Sequence, residues 1–228
     1  ERPDDCMWIA YTVNKEDVWV ARLPLPVTGE ERERELRDGF GDFTVYSPKW
    51  APVTVTDLPS LRLTDFDRYD YGKAERVLRE TGQLELDFTV VPGQRDHGTL
   101  YCELQDISGQ TAVRLVFRED GMLCVRTTAL IPLCPYEAGQ ETRIRIWADC
   151  TTYDYTLQVN EGEEKKYRFM TAVETLGRFV LRTGAPRTEP GREDAPVEDE
   201  SFALPLADEK EEAAVFDLTS FRAKCQGI

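Results

Sequence analysis

The sequence predicts an all-β protein: one antiparallel sandwich preceded by a β-hairpin. Three observations predict it. From Phe43 onward, strand-length runs follow one another with turn residues every 8–12 positions, the spacing of sandwich strands. Side chains alternate with a period of two, most plainly in Thr142-Arg143-Ile144-Arg145-Ile146-Trp147. Breaks fall at Pro92-Gly93, Ser108-Gly109, Asp120-Gly121, Ala138-Gly139 and Asn160-Glu161-Gly162. Asp120-Gly121 between two apolar runs is a strong hairpin signal, because both residues tolerate positive φ.

Each element follows in chain order. Met7, Ile9, Tyr11 and Val13 alternate with Trp8, Ala10 and Thr12, and Val18, Val20 and Arg22 with Trp19, Ala21 and Leu23. The polar loop 14–17 joins them as a hairpin. Both faces of this hairpin are apolar, so it is expected to pack Trp8 and Trp19 against another domain or chain. Pro24 and Pro26 lack the amide donor and stop the ladder. Residues 1–27 are therefore taken as a hairpin unit. Residues 28–42, rich in charge and ending in Gly39 and Gly41, are taken as a linker. Residues 43–228 are taken as the sandwich domain. Its strands are expected at 43–47, 52–56, 60–64, 74–80, 83–91, 98–106, 111–118, 122–129, 141–149, 153–160, 165–170, 176–183 and 213–224. Residues 184–212 carry Pro186, Pro190, Pro196 and Pro205 among many acids and read as a long surface loop. The last run must return to the sheet to cover Val215, Phe216, Leu218 and Phe221.

Composition bounds the function. Across 228 residues, 43 acidic side chains outnumber 28 Lys and Arg, a net charge of −15. Nucleic acid is not an expected partner, since phosphate backbones need a basic surface. No apolar run reaches the ~18 residues of a membrane helix, and no membrane partner is expected. The single histidine, His97, follows Asp96 and precedes Gly98, and reads as a loop residue. One histidine excludes multi-His metal sites and leaves no imidazole base with a placed partner. The six cysteines contain no C-x-x-C pair and lie mostly in strand-like runs, where a thiol behaves as a small buried hydrophobe. The chain begins at Glu1 without the apolar stretch of a signal peptide, so a processed chain or fragment is expected; localisation is not specified.

The segment Trp8-Ile9-Ala10-Tyr11-Thr12-Val13-Asn14-Lys15-Glu16-Asp17-Val18-Trp19-Val20-Ala21-Arg22-Leu23-Pro24 resembles the closing strands of bacterial sialidase-like, BNR-repeat β-propellers. Val45-Tyr46-Ser47-Pro48-Lys49-Trp50-Ala51-Pro52-Val53, continued by the stretch from Arg62 to Val77, resembles the domain that follows such propellers. That domain is similar to concanavalin-like, laminin-G-like jelly rolls. The resemblance implies a jelly-roll sandwich in carbohydrate-active company. The family's Arg triad, nucleophilic Tyr and acid Asp have no matches here, and the repeat's S-x-D-x-G-x-T-W box is absent. The leading function is therefore a non-catalytic accessory module that binds carbohydrate or packs against an adjacent propeller.

Two alternatives stand beside it: a purely structural module, and a glycoside hydrolase or lyase with carboxylates on a concave face. The enzyme alternative rests on Glu85-Leu86-Asp87-Phe88, which resembles the E-x-D-x-x-E strand of jelly-roll glucanases. A retaining pair needs carboxyls roughly 5–5.5 Å apart. Here Val90 holds the last acid's place and can move no proton.

Sugar rings stack on aromatic side chains, and the candidates are Trp50, Tyr69, Tyr71, Tyr153 and Tyr155, with Tyr101 and Tyr136 further down the order. Tyr153 and Tyr155 are two apart and are expected on one strand face. Trp147, ending an alternating run, is expected in the core. Asp65, Asp67 and Asp70 pack three carboxylates into six positions. Calcium takes several such oxygens, and the resemblance implies a structural calcium. An acidic, hydrogen-bonded loop anchored by Tyr69 and Tyr71 is the other reading of the same run.

Overall fold

A computed structural model describes residues 6–13, 17–24, 34–184 and 209–226, the first two stretches by backbone alone. The expected long loop lies mostly outside the described residues, as do the side chains of Trp8 and Trp19. The chain falls into two compact units, Glu1–Arg32 and Glu33–Ile228. In the first, β1 (Cys6–Val13) and β2 (Asp17–Pro24) form an antiparallel hairpin. Its register runs from Cys6 opposite Pro24 to Val13 opposite Asp17, and sets Tyr11 opposite Trp19.

The second unit opens with β3 (Glu35–Arg37), a 3-10 turn at Phe40–Asp42, β4 (Thr44–Tyr46), β5 (Val53–Val55) and β6 (Leu61–Asp65). The long central strands follow: β7 (Lys73–Thr81), β8 (Gln83–Pro92), β9 (Leu100–Gln105), β10 (Thr111–Phe117), β11 (Met122–Arg126) and β12 (Leu130–Pro135). β13 (Thr142–Asp149), β14 (Asp154–Val159), β15 (Lys165–Arg168), β16 (Leu176–Thr183) and β17 (Ala214–Gln226) complete the unit.

These strands make two antiparallel sheets. One has seven strands in the order β12-β11-β10-β9-β16-β7-β4. The other runs β15-β14-β13-β8-β17-β6-β5, with β3 added on β17. Neighbours distant in sequence, such as β8 beside β17 and β9 beside β16, make this a sandwich rather than a meander.

Period-two alternation gives each sheet one inner face. Leu84, Leu86, Phe88 and Val90 of β8 meet Ile144 and Ile146 of β13 and Phe216, Leu218 and Phe221 of β17, all at most 2% exposed. The facing sheet contributes Leu100, Leu104, Leu115, Phe117, Leu123, Phe179 and Leu181. Aromatic rings join the layers: Phe179 lies 4.9 Å from Phe88 and stacks on Phe221 at 5.3 Å. Such pairs add to the burial term when centroids fall within about 4.5–7 Å.

Three sequence expectations are corrected here. Leu36 and Phe40, placed in the expected linker, are core residues at 9% and 5% exposure. Residues 130–135, outside the expected strands, form β12 although they contain Pro132 and Pro135; β12 is an edge strand, where a missing donor is tolerated. Trp147 is 36% exposed, because its parity matches Arg143 and Arg145 while Ile144, Ile146 and Ala148 turn inward. Five cysteines, Cys102, Cys124, Cys134, Cys150 and Cys225, are free thiols. Burial pushes the Cys150 thiol up to about 11, with Asp149 adding to the shift.

Candidate carbohydrate-binding face

The outer face of the seven-stranded sheet carries an unusual row of side chains. Parity fixes its members: Tyr46 on β4, Lys73 and Glu75 on β7, Arg182 on β16, Tyr101 and Glu103 on β9, Arg114 and Val116 on β10, Arg126 on β11. The register sets Tyr46 opposite Lys73, Lys73 opposite Arg182, Arg182 opposite Tyr101, and Tyr101 opposite Val116. Tyr71, just before β7, joins the row. Its ring lies 5.7 Å from that of Tyr46. The Arg182 guanidinium sits 5.5 Å from the Tyr71 ring and 4.9 Å from the Tyr101 ring, and Arg114 is 5.9 Å from Tyr101. Tyr46, Tyr71, Arg182, Tyr101 and Arg114 thus form a chain of ring and guanidinium contacts across the face.

Glu103 anchors this row. Its side chain is 3% exposed and accepts from Arg114 Nε at 2.6 Å and Arg182 Nη2 at 3.2 Å. Gln105 Nε2 donates to its other oxygen at 2.6 Å. A buried carboxylate is tolerated when it is paired and hydrogen-bonded, and both conditions hold. The outcome is that both arginines of the row are held by charge-assisted bonds, and the tyrosine rings pack against them.

A groove of about 470 Å³ opens beside the row, lined by Thr99, Tyr101, Arg114, Val116, Arg118, Glu119, Arg126 and Leu130. Five of these eight side chains are polar or charged, so the groove sets ionic and hydrogen-bonding groups beside the apolar surface of Tyr101, Val116 and Leu130.

The eight-stranded sheet's outer face differs. Arg143 grips both oxygens of Asp87, Arg62 both oxygens of Asp217, and Lys224 lies 3.7 Å from Glu85. Glu85 also accepts from Gln226. Glu85 and Asp87 share this face, as their period requires, but each is held in an ion pair. Val90 is fully buried, so the glucanase-like strand presents no third acid there.

The sequence candidates separate into distinct environments. Tyr71 stands in the row described above. Tyr69 and Trp50 are half-buried in neighbouring loops, with Lys49 and Lys210 5.7 and 6.0 Å from the Trp50 ring. Tyr153 is 43% exposed but sits in the turn before β14 at φ 54, so it does not share a strand face with Tyr155. Tyr155 is 1% exposed and packs 5.7 Å from Tyr167; its ring is core and cannot stack on a sugar. Burial raises the Tyr155 hydroxyl well above the usual phenol range. Tyr136 is also core, with its hydroxyl donating to the Arg118 carbonyl and pushed up to about 12 by burial.

The acidic run does not form a metal cage. Asp65 Oδ1 accepts from the Asp67 amide at 2.8 Å, and Asp67 Oδ1 accepts from the Tyr69 and Asp70 amides at 2.8 and 2.9 Å. Asp70 accepts from the Tyr71 amide and the Tyr46 hydroxyl, both at 2.9 Å. These carboxylates are committed to local turns. Among the described residues no cluster of three or more His, Cys, Asp or Glu side chains is placed to hold a metal ion. The expected calcium does not fit. The loop's role is positional: Asp70 holds Tyr46 and Tyr71 at the end of the row. Tyr46 and Arg182 are not among the sequence candidates, because they reach the row only through the β4–β7 and β16–β9 registers, which spacing along the chain does not report.

Known proteins share this architecture. A sialidase superposes with a TM-score of 0.81 and 29% identity, covering 98% of this chain and 21% of the sialidase. The chain thus spans about a fifth of that protein's length. A Crh5 transglycosylase superposes with a TM-score of 0.58 at 11% identity, covering 86% of each chain. Basic winged bean lectin does so at 0.51 and 11%, covering 85% of this chain and 99% of the lectin. At that identity the last two likenesses concern the fold alone. No curated protein matches the sequence. The family described as "Sialidase-like, CBM domain" matches residues 43–199, most of the sandwich, and the chain belongs to that family.

Proposed function

We propose that this chain is a carbohydrate-binding β-sandwich module that holds a glycan without cleaving it, and that the outer face of the seven-stranded sheet is the binding surface. The observation that carries the reading is the Tyr46–Tyr71–Arg182–Tyr101 row beside an open groove, in a domain of a carbohydrate-binding-module family. Tyrosine suits this work, having an apolar ring for the C–H face of a pyranose and a hydroxyl for its edges. A rigid row loses little entropy when a sugar lands on it. The absence of turnover is supported by the state of the acids: Asp87 is clasped by Arg143, and Glu85 by Gln226 and Lys224.

We further propose that the unit at 1–27 closes an adjacent propeller, with residues 43–228 as the accessory domain. The sialidase likeness, covering only part of that longer protein, supports the arrangement.

The test is binding and hydrolysis of a glycan panel by the purified chain. Binding in the micromolar to millimolar range without product is expected. Tyr101→Ala and Tyr71→Ala should each weaken it by at least about tenfold, near 1.4 kcal/mol. Turnover that disappears in Glu85→Gln or Asp87→Asn would replace this reading with the enzyme one.

A further inference from the structure

We propose that the arginine end of the groove is a subsite for an anionic sugar residue, one whose carboxylate or sulfate is held by Arg126 together with Arg114 and Arg118. The inference rests on the carbohydrate-binding reading and specifies its ligand class.

The charge distribution points there. The chain carries a net charge of −15, yet the groove gathers Arg114, Arg118 and Arg126 against the single lining acid Glu119. These cations are unequally partnered. Arg118 pairs with Asp120 at 3.0 Å. Arg114 spends its Nε on Glu103, and Glu103 is shared with Arg182, so two guanidinium groups face one carboxylate. Arg126 is exposed, and among the described residues its guanidinium makes no hydrogen bond or ion pair.

The register sharpens the contrast. Arg114 and Arg126 are direct cross-strand partners on the outer face. Like charges set opposite one another destabilise a sheet. On the eight-stranded sheet several cations face acids: Arg62 faces Asp217, Lys224 faces Glu85, and Arg145 and Arg222 face Asp87 from either side. Where cations do face one another, acids reach both: Arg37 and Arg222 share Glu35, while Lys73 and Arg182, also opposed, pair with Glu75 and Glu103. Of the opposed pair in the groove only Arg114 has such an acid, and Arg126 has none among the described residues.

An anion resolves the conflict. A carboxylate or sulfate presents coplanar or forked oxygens that match the guanidinium's parallel N–H bonds. Arg114 brings its two terminal nitrogens, since only its Nε is engaged with Glu103. Tyr101, Val116 and Leu130 line the same groove and offer apolar surface to the ring that carries the anion.

The test is calorimetric titration of the full chain with oligouronates, sialylated oligosaccharides and sulfated oligosaccharides, each beside its neutral counterpart, at low and high salt. The arms distinguish a carboxylate source from a sulfate source. At least one anionic ligand should bind tenfold or more tighter than its neutral counterpart, with the advantage shrinking at high salt. Arg126→Gln should abolish the advantage while leaving the thermal midpoint unchanged or higher, because the like-charge pair is gone. Arg222→Gln, on the other sheet, should leave the advantage intact. Equal binding of neutral and anionic ligands, still weakened by Tyr101→Ala, would overturn this inference and leave the carbohydrate reading standing. No binding of any glycan would overturn both.

Discussion

A carboxylate's chemistry depends on what it already holds. Asp87 and Glu85 have the residue type and spacing of a hydrolytic strand, but ion pairs from β13 and β17 occupy them. The same rule governs Asp65, Asp67 and Asp70, whose oxygens cap local amides. Sequence spacing reports that acids are near one another; it does not report which donors arrive from other strands. His97 shows the opposite case, a single residue whose partners define it. Partial burial works to lower its pKa, but the Ala213 carbonyl, the Asp96 carboxylate and nearby Glu212 outweigh burial and hold it above the ordinary imidazole value. A raised folded-state pKa means the protonated form is favoured by folding. His97 therefore contributes stability that is complete below its unfolded pKa of about 6.5 and is lost as pH rises through the folded value. Its lone imidazole resonance, followed by NMR against pH, should titrate above the ordinary value, and Asp96→Asn should bring it down. An imidazole titrating at or below that ordinary value would contradict the bonds assigned to it.

At the scale of elements, parity and turn chemistry made most of the sandwich legible. Asp120-Gly121 closes the β10–β11 hairpin with Gly121 at φ 75, and Thr142–Asp149 alternates as read. Tyr71 could be read as a candidate because it lies beside a strand start. Tyr155 could not be separated from it, since both are tyrosines next to alternating runs. Only the approach of Tyr167 and Phe169 decides that Tyr155 is core. β3 and β12 carry no clear strand signal in sequence, because one lies in a charged stretch and the other contains prolines. Gly98 belongs to this scale too, joining the β8–β9 connection to β17. It sits at φ +68, and a Cβ there would lie 2.2 Å from that of Ala214. Left-handed backbone costs an L-residue roughly 1–2 kcal/mol, and overpacking adds about 1–3 more. Gly98→Ala should therefore destabilise by more than about 2 kcal/mol in urea unfolding, with the start of β17 displaced. A loss below a few tenths would mean that the two strands are not in this contact.

On the scale of the whole molecule, the two outer faces of one sandwich have been put to different uses. The eight-stranded face closes its charges on itself. The seven-stranded face builds a tyrosine–arginine row, then opens a groove where two arginines oppose one another. Jelly-roll topology alone does not choose between them, since either outer face is a broad surface on which a glycan could lie. The choice rests on which side chains are already spent. Backbone amide NMR of the isotopically labelled chain, titrated with the tightest oligosaccharide from the panel, tests that choice most directly. The account predicts shift changes concentrated on β9, β10, β11 and β16, centred on Tyr101, Arg114 and Arg126. Changes centred instead on β8 and β13, around Glu85 and Trp147, would contradict it.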